Sequence, residues 1–398
     1  MYQVHKDFNE YKPVTRAQLD QILDTPVLNL DGLDYPIIIK KIELLFNHGN
    51  YIVRTISEDG LEGISLANDR MEFCYPILEK QVAPYFIGQD ARRLEALLEE
   101  VYVYKANYKL AGIPYYSVLA ALELSILDML AKARNVSMVA MFGDRLKDWA
   151  NLYVASGNRQ TTPEEELEII KARVDKSGAK AIKFKIGGRM SRNKDSMEGR
   201  SEGLIYKSRE FFGDDMIIHA DGNGSYDVET AVKYGKMLEE INAYFYEEPC
   251  PFDDLESTRD VTAQTKVPLA FGEQENSMTR FRWLVENHGR DVVQPDIFYN
   301  GGLIRTTKVA KMAQLAGMTI TPHVSSGFCF VYLLYFAAYT PNIGQYLENK
   351  EGLELANDFL IEPIVRKDGR LSIPDLKGVG VDASGELIRE AIVLFDIH

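Results

Sequence analysis

The sequence predicts an α/β protein: a parallel (β/α)₈ barrel preceded by an α+β domain. Two observations support this prediction. From about residue 151 the chain alternates short β-rich runs with amphipathic helical segments, whereas the preceding residues do not follow that rhythm. In addition, polar or charged residues follow the predicted barrel strands at intervals close to the length of one βα unit.

The length and composition fit two structural units. The chain has 398 residues, more than one compact core of ordinary size, and is 46% apolar and 26% charged, as in soluble globular proteins. Its formal net charge of −14 argues against nucleic acids and anionic membranes as partners. A small anionic substrate stays open, because a metal ion and a few lysines can reverse the potential locally.

The cysteines and the N-terminus predict a cytoplasmic protein. Cys74, Cys250 and Cys329 are far apart and odd in number, so neither a disulfide framework nor a Cys-x-x-Cys site is indicated. Residues 1–7 lack the apolar stretch of a signal peptide. The longest apolar run, residues 328–339, is too short to cross a bilayer, so we expect no membrane partner.

Four segments are predicted along the chain. Residues 1–35 carry few apolar positions and form an arm or remain mobile. Residues 36–146 form the α+β domain, with strands at 36–45, 51–56 and 61–65 and helices at 72–82, 90–104 and 115–134. Residues 147–352 form the barrel. Residues 353–398 have a strand and turn pattern, and we expect them to return to the first domain. A doubly wound sheet would need fewer strands and a Gly-rich phosphate-binding turn, which is missing after the first strand.

The barrel strands are predicted at residues 152–155, 181–186, 216–220, 244–246, 269–271, 292–293, 318–321 and 345–347. Helical patterns between them include residues 163–176, 227–241, 255–264 and 303–315. Seven of these strands end in ionisable groups: Lys183 and Lys185, Asp221, Glu247, Glu273, Asp296, His323 and Glu348. Because (β/α)₈-barrel enzymes place their active sites at the C-terminal ends of the strands, we expect all these groups to face one place.

Two lysines occupy the second predicted strand. Residues 181–188 read AIKFKIGG, and the alternation directs Lys183 and Lys185 into the barrel mouth. An exposed edge strand with solvated lysines is the alternative, and the position in the barrel disfavours it. Two ammonium groups so close should depress each other's pKa, which prepares a lysine to act as a base near neutral pH.

Three carboxylates come from consecutive strands. Asp221, Glu247 and Glu273 would repel one another in a confined mouth unless a cation were present. An all-oxygen ligand set suits Mg²⁺ rather than Zn²⁺. Taken singly, each could be a helix N-cap or a solvated loop acid. Glu248, next to Glu247, should point the other way and is the weaker candidate for a ligand.

The last two candidate positions complete an acid/base set. Neighbouring strands can bring Asp296 and His323 within hydrogen-bond reach, which gives an oriented His–Asp pair. A lone histidine after a strand is more often structural. Glu348 could donate a hydrogen bond to a developing negative oxygen if protonated, or pair with a lysine.

Taken in order, these motifs resemble the enolase superfamily, and its mandelate racemase subgroup in particular. The residues that carry the resemblance are Lys183-Phe184-Lys185, Asp221-Gly222-Asn223, Glu247-Glu248-Pro249, Gly272-Glu273, Gln294-Pro295-Asp296, Thr321-Pro322-His323 and Leu347-Glu348, together with the apolar stretch 121–132. The resemblance implies a modified TIM barrel with an N-terminal capping domain and a C-terminal segment that returns to it.

The resemblance also implies roles for the site residues. One Mg²⁺ per active site would be held by Asp221, Glu247 and Glu273, and would bind the substrate carboxylate and stabilise the enediolate. Lys185 would be the base on one face, with Lys183 tuning it and touching the carboxylate. His323, oriented by Asp296, would act from the other face. Glu348 would hydrogen-bond the carboxylate, and Asn223 would be a polar substrate contact.

Three features depart from the family's commonest pattern. His219 occupies an inward position that is usually apolar, and we interpret it as a buried structural histidine. The loop 188–195, with Arg189 and Arg192, is long and could add positive charge to the site. The N-terminal arm is also longer than usual.

Two reactions are compatible with bases on both faces. Dehydration of an acid sugar, an aldonic or aldaric acid, to a 2-keto-3-deoxy acid is favoured, and racemisation or epimerisation of a 2-hydroxy acid or a related carboxylate is the alternative. The cap residues His48, Asn68 and Arg70 suit a polyhydroxylated substrate, although ordinary loop polarity explains them equally well. A non-catalytic barrel that binds sugar acids is the alternative hypothesis outside the enzymes. We expect a small-molecule carboxylate as the partner, and a homo-oligomer, because such barrels are often symmetric assemblies.

Overall fold

The computed structural model describes residues 8–325, 328–349 and 353–398. The first seven residues of the predicted arm and residues 350–352, the end of the predicted barrel segment, lie outside the described residues. The described chain has a capping domain with a four-stranded antiparallel sheet, and a set of eight parallel strands surrounded by helices. The predicted fold class, an α/β barrel with an α+β cap, is confirmed.

The capping sheet combines three strands from the first part of the chain with one strand from the C-terminal segment. Its strands are β1 (Ile39–Asn47), β2 (Asn50–Ser57), β3 (Glu62–Leu66) and the last strand of the protein, β14 (Ile392–Ile397). They lie in the order β14–β1–β2–β3, and all are antiparallel. The hairpins β1–β2 and β2–β3 are close to the predicted strands, and β14 closes the sheet on the opposite side of β1.

Five α-helices lie in or before the cap: α1 (Arg16–Asp24), α2 (Met71–Ile77), α3 (Ala83–Phe86), α4 (Leu94–Val103) and α5 (Ile113–Arg134). The predicted helix 72–82 is α2 followed by a π-helical turn, Leu78–Val82. Pro84 has no N–H to donate back along a continuous helix, so the hydrogen-bond register changes before it. The predicted helix 90–104 begins with a 3₁₀ turn, Ala91–Arg93, capped by the Asp90 side chain.

Helix α5 forms the core of the cap. Among the described residues, it is the one helix that is apolar and long enough to cross a membrane, and 89% of its most apolar window is buried inside the protein. Buried Asp128 on α5 accepts hydrogen bonds from the backbone N–H groups of Ile64 in β3 (2.8 Å) and Val379 in the tail (2.7 Å). Helix α5 therefore joins the sheet to the C-terminal segment, as a core helix does.

Eight parallel strands form the barrel: β4 (Trp149–Ala155), β5 (Ala181–Lys185), β6 (Ile217–Asp221), β7 (Phe245–Glu247), β8 (Leu269–Phe271), β9 (Val292–Val293), β10 (Thr319–Ile320) and β11 (Tyr346–Asn349). Neighbours in sequence pair from β4 to β10, and β11 pairs with β4. A parallel bridge between Ile320 and Ile343, just before β11, joins the remaining two. All eight predicted strands are present within a few residues of the predicted bounds.

A helix follows each barrel strand: α6 (Pro163–Ser177), α7 (Arg200–Phe212), α8 (Val228–Glu240), α9 (Leu255–Thr262), α10 (Met278–Glu286), α11 (Leu303–Leu315), α12 (Cys329–Tyr339) and α13 (Leu353–Phe359). The first shows why these sequences are helical. Thr162 and Glu165 form a capping box, Pro163 occupies the first turn, and Gly178 ends the helix in the left-handed conformation. Helices α6 to α12 each return the chain to the start of the next parallel strand.

The described part of the N-terminal arm packs on the barrel. Helix α1 begins at a capping box formed by Thr15 and Gln18. The Tyr11 hydroxyl donates to the carbonyl of Glu286 (2.9 Å), and its ring stacks on His288 with centroids 4.1 Å apart. Lys308 on α11 donates to the carbonyl of Leu23 (2.7 Å). The sequence allowed either an arm or a mobile segment here. The described residues of this segment form an ordered arm.

The tail contacts the barrel before it reaches the cap. After α13, strands β12 (Arg366–Lys367) and β13 (Arg370–Ser372) form a hairpin, and β13 pairs antiparallel with the start of β4. Strand β5 pairs with β4 only from Tyr153 onward, which leaves an open edge for the hairpin. A short helix, α14 (Glu386–Arg389), then leads into β14. The sequence indicated strands and turns here but neither the two helices nor the contact with the barrel.

The packing of β3 on α5 generates a prediction about stability. A Cβ added at Gly63 would lie 1.8 Å from the Ser125 carbonyl oxygen and 2.7 Å from the Met129 nitrogen, both backbone atoms of α5. We expect Gly63→Ala to destabilise the cap by about 1–3 kcal/mol or more, because the helix must move away from the sheet. Gly143→Ala, where an added Cβ meets no atom within 4 Å, is the matched control. Thermal unfolding of both variants checks this, and equal melting temperatures would contradict the packing described.

Candidate active site

The strand register brings the predicted site residues together. Lys185 on β5 pairs with Asp221 on β6, which in turn pairs with Glu247 on β7. An isolated parallel bridge likewise pairs Asp296, after β9, with His323, after β10. Because neighbouring parallel strands are in register, their last inward-facing side chains lie side by side at one end of the barrel.

A buried acidic cluster lies at this end. Asp221, Glu247 and Glu273 offer carboxylate oxygens that all lie within 4.8 Å of one another. Their exposed fractions are 0%, 1% and 9%. Three carboxylates this close and this dry repel one another unless positive charge compensates them. The all-oxygen donor set fits Mg²⁺, which prefers hard oxygen ligands.

Lys183 forms its closest ion pairs with two of the buried carboxylates. Its Nζ contacts both oxygens of Glu247 (2.8 and 2.7 Å) and Oε1 of Glu348 (3.2 Å). Burial alone would lower its pKa, but Glu247 and Glu348 more than offset this and raise the pKa well above its usual value. The predicted mutual depression of the two lysines is therefore wrong for Lys183, because each lysine faces a carboxylate rather than the other ammonium group.

Lys185 lies at the Asp221 edge of the cluster. Its Nζ makes a close ion pair with Oδ2 of Asp221. Burial alone would raise the pKa of Asp221, but Lys185 and Lys183 more than offset this and lower it. The two lysines therefore favour the ionised form of Asp221. Lys185 is 12% exposed at its side chain, so its amine reaches the open mouth.

Glu247 is buried between neighbours of both signs. Burial raises its pKa to about 8; Lys183 opposes this shift, and Asp221 adds to it. Gln294 Nε2 donates to Glu247 Oε2 (2.9 Å) and so holds the carboxylate from the β9 side. A cation bound at the cluster would stabilise the ionised form of Glu247.

A His–Asp pair lies on the other side of the cluster. His323 Nδ1 is 2.8 Å from Asp296 Oδ2, and its Nε2 is 3.4 Å from Glu273 Oε2. The other Asp296 oxygen accepts backbone N–H bonds from Phe298 (2.8 Å) and Tyr299 (3.0 Å). The carboxylate is thus fixed from two directions and holds the imidazole with Nε2 towards the acidic cluster.

Two of the predicted cap contacts reach the barrel loops. Asn68 Nδ2 donates to Ser325 Oγ (3.4 Å), and Ser325 in turn donates to Asp296 Oδ1 (3.3 Å). Arg70 Nε donates to the Tyr299 hydroxyl (3.4 Å). The cap therefore connects to the loops that carry the His–Asp pair.

His48 is placed differently from the other cap candidates. It occupies the exposed β1–β2 turn with positive φ, next to Asn47, whose amide donates to the Leu387 carbonyl (2.7 Å). Within the described residues, no contact joins His48 to the acidic cluster. The turn faces the C-terminal segment, a placement that loop polarity alone could not reveal.

His219 and Glu248 are both buried next to the site. His219 Nδ1 contacts the Ile182 carbonyl (2.8 Å), and burial lowers its pKa to about 3, so the imidazole is neutral. Glu248 is 3% exposed, and its Oε1 has no hydrogen-bond partner among the described residues. Burial raises the pKa of Glu248 well above its usual value. Glu248 is not a member of the acidic cluster.

The sequence analysis assigned no role to Arg159 or to Gln294, although Gln294 belongs to one of the motifs. Arg159 Nη2 donates to Asn223 Oδ1 (2.7 Å), and its Nε donates to the Gly187 carbonyl (3.1 Å). For both residues, the sequence contained a feature that could have indicated a place in the site. β4 was the one barrel strand without a candidate group, and Arg159 is the first charged residue after it. Gln294 lies two residues before Asp296, on the same face of the chain.

Family models match most of the chain. The model described as enolase C-terminal domain-like matches residues 165–387. The N-terminal domain model of mandelate racemase/muconate lactonizing enzyme matches residues 46–143. Together they cover both the barrel and the cap.

Two curated relatives align over most of the chain. The arabinonate dehydratase of Saccharolobus solfataricus is 28% identical over 347 residues, which covers 85% of this chain and 90% of that protein. The L-talarate/galactarate dehydratase of Salmonella typhimurium is 26% identical over 339 residues, covering 84% and 80% of the two chains.

Two solved structures share the architecture. A candidate racemase from Roseobacter denitrificans superposes with a TM-score of 0.84 at 29% identity, over 91% of this chain and 100% of that one. A mandelate racemase/muconate lactonizing protein from Paracoccus denitrificans, complexed with magnesium, has a TM-score of 0.81 at 21% identity, over 90% and 99% of the two chains. At that lower identity the likeness shows the fold alone.

The acidic cluster generates a prediction about metal binding. Outer-shell changes around metal sites cost about 10–100-fold in affinity, so we expect Glu247→Gln, which removes a direct oxyanion ligand, to weaken Mg²⁺ binding by about 100-fold or more. The matched control is Glu248→Gln at the adjacent buried position, which should keep the affinity within about threefold. Isothermal titration calorimetry with Mg²⁺ measures both. Equal losses in the two variants, or none in either, would contradict this cluster as the site.

Proposed function

This chain belongs to the mandelate racemase/muconate lactonizing enzyme family of the enolase superfamily, and we propose that it is a Mg²⁺-dependent hydro-lyase that dehydrates an acid sugar. The observation that carries the proposal is the acidic cluster with Lys185 at its Asp221 edge and His323 at its Glu273 edge. Binding alone needs no proton carriers on two sides of a site, so this arrangement disfavours a non-catalytic sugar-acid-binding barrel.

Asp221, Glu247 and Glu273 would hold the metal ion. Bound there, Mg²⁺ would hold the substrate carboxylate and stabilise the negative charge that develops on it. Lys183, between Glu247 and Glu348, is too enclosed by carboxylates to serve as the base. Its ammonium group instead keeps positive charge beside the carboxylate-binding region. Glu348 on β11 contacts the same Lys183 ammonium group and so borders the carboxylate-binding region.

Two residues on different sides of the acidic cluster are the proposed proton carriers. Lys185, in its neutral form, accepts the C2 proton of the substrate. His323, protonated at Nε2 and held by Asp296 at Nδ1, donates a proton to the C3 hydroxyl, which leaves as water. The C2–H and C3–O bonds break, a C2–C3 double bond forms, and the enol product tautomerises to a 2-keto-3-deoxy acid. The two dehydratase relatives support this reaction class.

Racemisation or epimerisation is the second candidate. The candidate racemase from Roseobacter denitrificans, at 29% identity, supports it, as do proton carriers on both sides of the cluster. It differs in one step: His323 would return a proton to C2 rather than donate one to a leaving hydroxyl. We also propose a cytoplasmic location, which the three free, buried cysteines support, and a homo-oligomeric state.

The reaction class is tested with a panel of aldonic and aldaric acids in D₂O with Mg²⁺. We expect at least one acid to lose water and to give a carbonyl product that semicarbazide traps. Removing the metal with EDTA should abolish the reaction, and added Mg²⁺ should restore it. Deuterium exchange at C2 without a carbonyl product would identify a racemase or epimerase. Binding of an acid without deuterium exchange at C2 would support the non-catalytic barrel instead.

The two proton carriers are distinguished by single substitutions. Lys185→Ala should abolish C2 exchange for substrates of one C2 configuration, because it removes the base on that face. Asp296→Asn should slow turnover by about 10²–10⁴-fold, because His323 loses the carboxylate that orients it. Lys180→Ala, a solvent-facing lysine just before β5, is the control and should retain activity. Undiminished exchange in Lys185→Ala would remove Lys185 as the base.

A further inference from the structure

Arg159 lies at the mouth of the site and has no assigned role. It follows β4, and its guanidinium contacts two neighbours of the proposed machinery. Nε donates to the carbonyl of Gly187, two residues after Lys185, and Nη2 donates to Oδ1 of Asn223 at 2.7 Å. The backbone N–H of Asn223 in turn donates to the metal-ligand candidate Asp221 (2.8 Å). Arg159 is thus one side chain away from the acidic cluster.

The charge of Arg159 has no direct counter-ion. Both of its hydrogen-bond acceptors are neutral, and no acidic side chain among the described residues lies within 4 Å of it. Asp221 is the acid whose charge acts on it most, and Asp221 is already paired with Lys185. Arg189 adds a second positive charge nearby. A partly buried guanidinium without an acidic partner is costly unless an anion neutralises it.

The contact between Arg159 and Asn223 also determines what Asn223 offers to a ligand. A guanidinium has donors only, so the atom of the Asn223 side chain that faces it must be the oxygen. The amide nitrogen then points away from Arg159, and no described residue accepts a hydrogen bond from it. Asn223 therefore presents N–H donors beside the mouth. Nη1 of Arg159 adds further donors without an acceptor among the described residues.

We propose that Arg159 and Asn223 form a second, donor-only subsite that binds a distal carboxylate, so that the substrates are aldaric acids rather than aldonic acids. This inference rests on the proposed function and adds the substrate class. A carboxylate supplies the missing negative charge and accepts hydrogen bonds from the planar Nη1–Nη2 edge in the paired geometry that arginine favours. The terminal hydroxyl of an aldonic acid supplies no charge.

Steady-state kinetics on matched aldaric and aldonic acids of the same C2–C5 configuration test the subsite. The wild type should have at least about tenfold higher kcat/KM for the diacid. Arg159→Gln should lower kcat/KM for the diacid by about 100-fold, mostly through KM, and that for the monoacid by less than about fivefold. Arg159→Lys keeps the charge but not the paired donors, and should fall between the two. Lys194→Gln, which removes a charge from the neighbouring loop without a contact to Asn223, should change neither preference.

Binding provides a second measurement that does not depend on turnover. In a Lys185→Ala background with Mg²⁺, calorimetry should give a lower Kd for the diacid than for the monoacid, and adding Arg159→Gln should remove that difference. Equal losses for the two acids, or a wild-type preference for monoacids, would overturn the proposal. Should no acid be dehydrated, the proposed function fails, while the Kd difference still supports or refutes the diacid subsite. Circular dichroism and the Arg159→Lys variant separate loss of the subsite from misfolding.

Discussion

The site depends on the compensation of buried charge at one end of the barrel. Three carboxylates of the acidic cluster, two lysines, a His–Asp pair and Glu348 share a small volume from which water is largely excluded. Lys183 illustrates the constraint: it holds Glu247 and Glu348 together, and without it both would be buried next to like charge. The parallel strands are the scaffold that makes this possible: their register aligns Lys185, Asp221 and Glu247, and Lys183 lies two residues earlier on the same face of β5.

The strand-end rule explains why so much of the site could be predicted from the sequence. Period-two alternation and the spacing of βα units determine where a strand ends and which side chain faces the mouth, and Asp221, Glu247 and Glu273 follow from them. The position of Arg159 could not be predicted in this way, because Arg159 lies in the loop after β4. Its contact with Asn223 depends on the path of that loop. The position of His48 was not predictable for another reason: the turn that carries it is regular, but the neighbouring Asn47 contacts the tail at Leu387, and such a tertiary contact cannot be inferred from the turn itself.

The electrostatic expectation for the lysines shows a further limit. The sequence places Lys183 and Lys185 on one face, which suggests that they influence each other first. In the fold, neighbouring strands bring a carboxylate next to each lysine. Burial would lower the pKa of Lys183, but Glu247, Glu348 and the other neighbours together outweigh burial and raise it. Spacing along one strand identifies which groups share a face. The strength of their interactions depends on the strands on either side.

The pairing of β14 with β1 has a consequence for how the protein is made. Residues near the start of the cap, such as Ile42, find their partners near residue 397. During synthesis the capping sheet therefore lacks the β14 edge strand until residues 392–397 have been made, after all eight barrel strands. Contacts of such long sequence separation are slow to form. The loop containing Asn68 and Arg70, which reaches the loops of the His–Asp pair, therefore belongs to a domain whose sheet is completed only after the barrel strands have been made.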